Sequence, residues 1–388
     1  MPLPPQVDST PKRRQPEFFV WVGQFWERIT EGLELSQLWK QFKTDAQTSY
    51  RFYQRDFDAR SPHEGRRHDV LHTIQEFIWA ILEKLTPARR VLLLVALLIL
   101  LFGGIGFHYT DHEGHFHGFS VDLRFYAGAI LFLLLMLEVA DRVVMKRDLE
   151  IARDIQSWLL PTKPPQVPGL EMAFTTRPAN TVAGDYYDVF ARSGSGEDSF
   201  IIAVADVAGK SIPAALLMAT FQASLKTLSA TQCSLATLVT SLNQYACSNS
   251  QEGLRFTTAF IAEFNSTSRM LTYVNAGHNV PILRRSSGTI ERLTSGGLPL
   301  GIQAAAPYEI DSVVLQSGDW LIVFTDGLVE AENNLAQEFG ERRLLDMLQP
   351  GSIISPRELL SKIMGSLDAF VGETPQHDDV TCMVIYGV

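Results

Sequence analysis

Several things are scarce in this chain of 388 residues, and each scarcity removes a class of protein. There are only three cysteines, Cys233, Cys247 and Cys382, at no metal-ligand spacing. So odd and sparse a set excludes a disulfide framework and reads as free thiols in a reducing compartment, with Cys382 a small core residue inside a strand pattern. A G-x-S-x-G elbow, a reactive-cysteine motif and a glycine-rich phosphate loop are all missing, which removes the usual covalent nucleophiles and nucleotide cradles. The opening "MPLPPQVDSTPKRRQPEFF" lacks an apolar h-region, so no signal peptide is expected. Positive charge is short where nucleic acid would need it. The net charge is −10; residues 1–90 carry 14 Lys and Arg against 12 Asp and Glu, residues 145–388 carry 17 against 26. An acidic half of that kind excludes nucleic acid as the main partner.

What is present divides the chain. Residues 1–16 are Pro-rich and polar and read as a disordered tail. Residues 17–88 read as a helical cytoplasmic region, with amphipathic stripes at Phe18, Val22, Phe25, Trp26, Ile29 and at Leu71, Ile74, Phe77, Ile78, Ile81, Leu85. Residues 89–142 read as a two-span transmembrane helical hairpin. Val91–Phe107 is uncharged, a second apolar run covers Phe125–Leu137, and Arg89, Arg90, Arg142, Lys146 and Arg147 flank the pair. That charge bias puts both flanks, and the domain that follows, on the cytoplasmic side of the inner membrane. The connection between the runs holds His108, His112, His115 and His117 and reads as an exposed polar loop. Residues 143–160 read as a linker helix. Leu137, Val144, Ile151 and Trp158 recur every seven with Ile155 beside them, a seam suited to a homodimer, and Pro161 ends it.

The remainder, 161–388, reads as one α+β domain. Runs such as "FIIAVAD", "TTAFIAEFN", "MLTYVNA", "WLIVFTD" and "VTCMVIY" are strands, and helices such as "IPAALLMATFQASLKTL" and "LATLVTSLNQYACS" are inserted between groups of them, which favours antiparallel layers over a doubly wound sheet. Asp206 and Asp326 close apolar runs, Asp378 and Asp379 open one, and Asp185 sits in "VAGDYYDVF". Acids gathered at strand mouths repel one another and require a cation. Hard oxygen donors without His or Cys favour Mg²⁺ or Mn²⁺. Two such ions roughly 3.5–4 Å apart share a water, lower its pKa and set it up for in-line attack on phosphorus.

"VAGDYYDVF", "ADVAGKSIPAALLMA", "FTTAFIAEFN", "LTYVNAGHN", "LPLGI", "SGDWLIVFTDGLVEAENNLAQEFGERRL" and "HDDVTCMVIY" occur in an order that resembles the PP2C-like serine/threonine phosphatases, in the bacterial branch of stage II sporulation protein E and sigma-factor regulators. The resemblance covers about 150–388. It implies a four-layer α-β-β-α sandwich of two antiparallel sheets flanked by helices, with a two-ion metal site at one end. It also implies roles: Asp185 on one metal, Asp206 bridging, the carbonyl of Val207 beside it, Asp326 and Asp378 on the other metal, and Asp379 behind the ligands. Substrates in this branch are phosphoserine or phosphothreonine on small STAS-type antagonist proteins of partner switches.

The chain departs from the family's pattern. Gly-Gly-Asp is Ala183-Gly184-Asp185, a change expected to be tolerated. Gly-Lys-Gly is Gly209-Lys210-Ser211, where Ser is expected to cap a helix entry. The position two after the bridging acid, a histidine in the eukaryotic branch, is Ala208, so no side chain is assigned as proton donor. Lys210 is weighed as a phosphate contact against a solvated lysine. His278 in "NAGHN" is weighed as a substrate contact against a turn-capping residue. Asp188 reads as a surface strand acid. Two other functions stay open: a catalytically silent phosphatase fold that binds partners, and a hydrolase of small phosphoesters.

Overall fold

Residues 161–388 fold as the period-two alternation of their apolar side chains requires. The computed structural model describes residue 82 and residues 85–110, 116–192, 198–250, 255–348 and 355–388. Contacts divide the chain into two compact units, 1–138 and 139–388.

In the second unit, one sheet is built from β4 (Tyr186–Ala191), β5 (Ser199–Val207), β6 (Thr257–Asn265), β7 (Met270–Ala276), the short β10 (Gly296–Gly297) and β11 (Asp311–Val314). Its order is β10-β7-β6-β5-β4, with β11 also on β7. The other sheet has the order β3-β13-β12-β8-β9, from β3 (Leu170–Arg177), β8 (Ile282–Arg284), β9 (Ile290–Arg292), β12 (Trp320–Phe324) and β13 (Val380–Gly387). All pairings are antiparallel except β10 on β7.

The layers follow from parity. Ile202 and Val204 of β5 pack with Phe260 of β6, Leu321 and Val323 of β12, and Met383 of β13, in a core between the sheets. The alternate residues Ile201, Ala203 and Ala205 pack instead on Met218, Phe221 and Leu225 of α3 (Ser211–Ser229) and on Leu238 and Leu242 of α4 (Leu235–Ser248). On the opposite side, Ile322, Phe324 and Val384 pack on Leu328 of the short α5 (Asp326–Val329), on Leu344 of α6 (Gly340–Met347) and on Leu359 and Ile363 of α7 (Pro356–Val371). Each of the larger of these side chains, Val, Leu, Ile, Met or Phe, contributes about 1.5–3 kcal/mol on burial. The result is the expected α-β-β-α sandwich.

Upstream, the structure corrects two readings. The His-rich connection is not a plain loop: β1 (Gly104–Thr110) and β2 (Phe116–Asp122) pair antiparallel, with Tyr109 opposite His117. Ile105, Phe107 and Tyr109 alternate with smaller or polar residues, a strand period that the histidines obscure. His112 and His115 lie outside the described residues. The second apolar run and the linker are not separate elements either. α2 (Arg124–Leu159) is one helix of 36 residues, because no Gly or Pro interrupts it between Gly128 and Pro161. α1 (Pro87–Phe102) has 16 residues. Among the described residues no helix is long and apolar enough to cross a membrane. Both helices nonetheless expose large apolar side chains, among them Val91, Leu101, Phe102, Phe125 and Phe132. The heptad residues Val144, Ile151, Ile155 and Trp158 are exposed as well. The tail and the two amphipathic stripes fall outside the described residues, apart from Leu85.

Candidate metal centre

The parity that builds the core continues past the strand ends and gathers acids between the sheets. Tyr186 faces the helices and pairs with Ala205, so Asp185 and Asp206 follow on neighbouring strand ends with their side chains on the inter-sheet side. On the second sheet Phe324 pairs with Cys382. Asp326, just past the end of β12, therefore lies beside Asp378 and Asp379, just before the start of β13.

Two glycines permit the close approach. A Cβ on Gly327 would sit 2.1 Å from the carbonyl oxygen of Asp379, so no other residue fits between the two acid-bearing segments. A Cβ on Gly184 would sit 3.1 Å from the carbonyl oxygen of Val207 and 3.8 Å from Asp206 Oδ1, which brings the Asp185 segment against the end of β5.

Asp185 is buried, 1% exposed. Its Oδ2 accepts a hydrogen bond of 2.9 Å from Thr325 Oγ1, a residue of the other sheet. Thr325 Oγ1 in turn accepts the Thr381 N–H at 3.0 Å. Asp185 Oδ1 is buried without a partner. Asp379 accepts the backbone N–H groups of Ala179 and Gly184, both at 2.6 Å, and so holds the segment leading to Asp185. From behind, the Gln156 side chain of α2 donates to the Ala183 carbonyl at 2.7 Å and accepts the Ala183 N–H at 2.9 Å. Lys210 pairs with Asp378 Oδ2 at 3.1 Å and donates to the His377 carbonyl at 2.5 Å.

The electrostatics record the crowding. Burial, then the charge of Asp206, raises the Asp185 carboxyl well above the usual range. Burial, then the charges of Asp326, Asp378 and Asp379, pushes Asp206 up to about 7. Burial and then Asp378 raise Asp326; burial raises Asp379 against the two backbone N–H groups that oppose it.

This donor set fits hard divalent cations. It is all oxygen, it is anionic beyond what its protein partners neutralise, and one buried carboxylate oxygen lacks any donor. Among the described residues no three His, Cys, Asp or Glu side chains are grouped so that they could together hold one ion. Mg²⁺-type ions do not need such a group, since they are held by one or two carboxylates and keep several waters.

The remaining sequence candidates sort differently. His278 is buried, with Nδ1 3.0 Å from Thr258 Oγ1, and Thr258 pairs with Asp206 across the strands. Asn275 Oδ1 accepts the His278 N–H at 2.7 Å, and Gly277 takes a positive φ of 68°, as a tight turn requires. Burial lowers the His278 ring to about 4, so it is neutral at pH 7. Asp188 is not the surface acid expected. It is 3% exposed and pairs with Lys226 of α3 at 2.8 Å, because it shares the helix-facing side of β4 with Tyr186, whose hydroxyl donates to its Oδ2 at 3.0 Å. Ser211 does not cap its helix. It occupies the left-handed region at φ 62°, where the family's glycine is at ease and a serine is not. Thr325 and Gln156 were not among the candidates. Parity marks Thr325, which continues the inter-sheet face of Leu321 and Val323; nothing local marks Gln156, whose partner is 27 residues away.

The α-β-β-α sandwich with carboxylates gathered between its two antiparallel sheets has the fold of a PP2C domain. The family model for stage II sporulation protein E (SpoIIE) matches residues 196–386, a span that begins after Asp185. The phosphoserine phosphatase RsbU of Bacillus subtilis (strain 168) is 32% identical over 243 residues, 62% of this chain and 70% of that protein. Protein IcfG of Synechocystis sp. is 28% identical over 279 residues, 65% of this chain but 43% of that protein, so the chain spans less than half of that relative's length. Among solved structures, the SiaA-PP2C domain of Pseudomonas aeruginosa superposes with a TM-score of 0.54 at 21% identity, covering 64% of this chain and 99% of that domain, a likeness of fold. The chain belongs to the SpoIIE family of PP2C-like serine/threonine phosphatases.

Proposed function

We propose that this protein is a metal-dependent protein phosphatase that removes phosphate from a serine or threonine of a partner-switching phosphoprotein, of the STAS-type antagonist class. The observation that carries the reading is the inter-sheet set of acids, with an unpartnered buried oxygen on Asp185 and Asp206 raised by its neighbours. In this reading Asp185, Asp206, Asp326, Asp378 and the Val207 carbonyl would hold two Mn²⁺ or Mg²⁺ ions. When bound, such ions supply a water of lowered pKa and stabilise charge on the phosphoryl oxygens. The protein's own part is positional. Thr325 orients Asp185, Asp379 fixes the 179–184 segment, and Lys210 ties Asp378 to the His377 backbone. Ala208 carries no group that could donate a proton to the leaving oxygen, and no side chain is assigned that role.

Two features outside the centre support attachment and assembly. The exposed apolar side chains of α1 and of the first half of α2 support attachment to the cytoplasmic membrane, with the catalytic domain on the side of the basic flanks. The exposed Val144, Ile151, Ile155 and Trp158 support a homodimer through α2. Sedimentation with vesicles and analytical ultracentrifugation check the two in turn.

The test of the central reading is calorimetric titration of the full chain with Mn²⁺, combined with phosphate release from a phosphoserine antagonist protein and from a small aryl phosphate. Two-site binding and Mn²⁺-dependent release, both lost in Asp206→Asn, are expected. Binding without release from either substrate would favour a silent partner-binding module. Release from the aryl phosphate alone would favour a small-phosphoester hydrolase.

A further inference from the structure

A cavity of about 550 Å³ adjoins the acidic centre and has no role in the reading above. Asp378 and Gly327 form the wall it shares with that centre. Its floor is apolar, made by Leu367 and Val371 of α7 and by Val380 at the start of β13. Glu330 and Glu332 stand at the mouth, both exposed. The other charges in the wall are committed elsewhere: Arg177 holds Asp368 through two contacts of 2.5 and 3.2 Å, and Lys210 holds Asp378. Among the described residues neither Glu330 nor Glu332 has a cationic partner.

An apolar floor beneath two uncompensated carboxylates suits one kind of side chain, an aliphatic stem with a cationic tip. It does not suit a phosphate, which the same carboxylates repel. The cavity opens beside the acids that would act on phosphorus, so its occupant belongs to the same bound chain as the phosphorylated residue. We infer that this cavity is a specificity subsite that takes a lysine or arginine side chain of the protein substrate, close in sequence to its phosphoserine or phosphothreonine. The inference rests on the phosphatase reading and adds to it a charge preference for the substrate.

The test uses the full chain with Mn²⁺ and pairs of phosphoserine peptides that differ only in a lysine or a glutamate at one position near the phosphorylated residue. At one position kcat/KM for the lysine peptide is expected to exceed that for the glutamate peptide by about tenfold, the size of a well-placed charge contrast at a partly enclosed site. Glu332→Gln is expected to shrink that ratio and Glu332→Lys to invert it; Glu332 is exposed, so neither change disturbs the core. Equal kcat/KM for both peptides at every position overturns the inference and leaves the phosphatase reading intact. A lysine preference that survives Glu332→Lys and Glu330→Lys undiminished also overturns it, since the selecting charge then lies elsewhere. No release from any peptide or from an aryl phosphate overturns the phosphatase reading, and the inference falls with it.

Discussion

The two sheets bring unlike acids to the same centre. On the β4–β5 side, Asp185 is buried with one oxygen unpartnered, and Asp206 is raised to about 7 with no cationic side chain against it among the described residues. On the β12–β13 side, Asp378 is 45% exposed and paired with Lys210, and Asp379 is held by two backbone N–H groups. Asp326 and Asp379 are raised too, so the halves differ in one respect: the second has a protein cation, Lys210, against one of its acids. A cation therefore matters most to the first half, and a bound substrate meets the second half first.

The sharpest way to test this contrast is by substitution of equal chemistry on both sides. Asp206→Asn is expected to lower kcat by roughly 10³-fold or more, as losing a charged group that acts at phosphorus through a metal does, and Asp378→Asn by roughly tenfold to a hundredfold. Equal losses, measured as phosphate release at saturating Mn²⁺, would erase the distinction. Next in size is Thr325→Val, which leaves Asp185 Oδ2 without its donor and the Thr381 N–H without its acceptor. About 1–3 kcal/mol of stability should be lost, read from urea unfolding.

The pH dependence breaks the comparison from another direction. A carboxyl raised in the folded state contributes stability that is complete below its unfolded pKa, near 3.8, and is lost as pH rises through the folded value, about 7 for Asp206. In chelator-treated protein the Tm should therefore fall between pH 4 and 7, and Asp206→Asn should flatten that fall. A slope unchanged in the variant would assign it to other groups. The smallest effect expected lies next to the centre: Ser211→Gly should add about 1 kcal/mol by relieving the left-handed φ of 62°, checked by the unfolding midpoint.

Much of the sandwich was legible from the alternation of apolar residues. "TTAFIAEFN" and "MLTYVNA" coincide with β6 and β7 residue for residue, and "LATLVTSLNQYACS" coincides with α4. Strand-end position also singled out Asp185, Asp206, Asp326 and the pair Asp378 and Asp379, which the fold brings to one rim; only the family resemblance separated Asp378 from Asp379. Other features were hidden for physical reasons. Residues 104–122 pair as strands, but their histidines and acids read as loop chemistry. The run from the second apolar stretch into the linker had no breaker to mark, so two expected elements are one helix. Asp188 was misread because it lies on the helix-facing side of β4, where its charge partner, Lys226 of α3, is far away in the sequence. Thr325 and Asp185 meet across 140 residues and from different sheets, a contact that no local pattern contains.

The clasp of Gln156 on Ala183 carries a consequence of phase. A side-chain amide here takes the place of a neighbouring strand, offering one donor and one acceptor to a single peptide unit. Both bonds share one side chain, so they form and fail as a pair rather than by degrees. A helix advances about 100° per residue. One residue inserted between Gln156 and the end of α2 at Leu159 would carry the amide a quarter turn or more off its target and release the segment that ends in Asp185. The rotational setting of this helix, more than its length, is thus written into the position of the first acid of the centre.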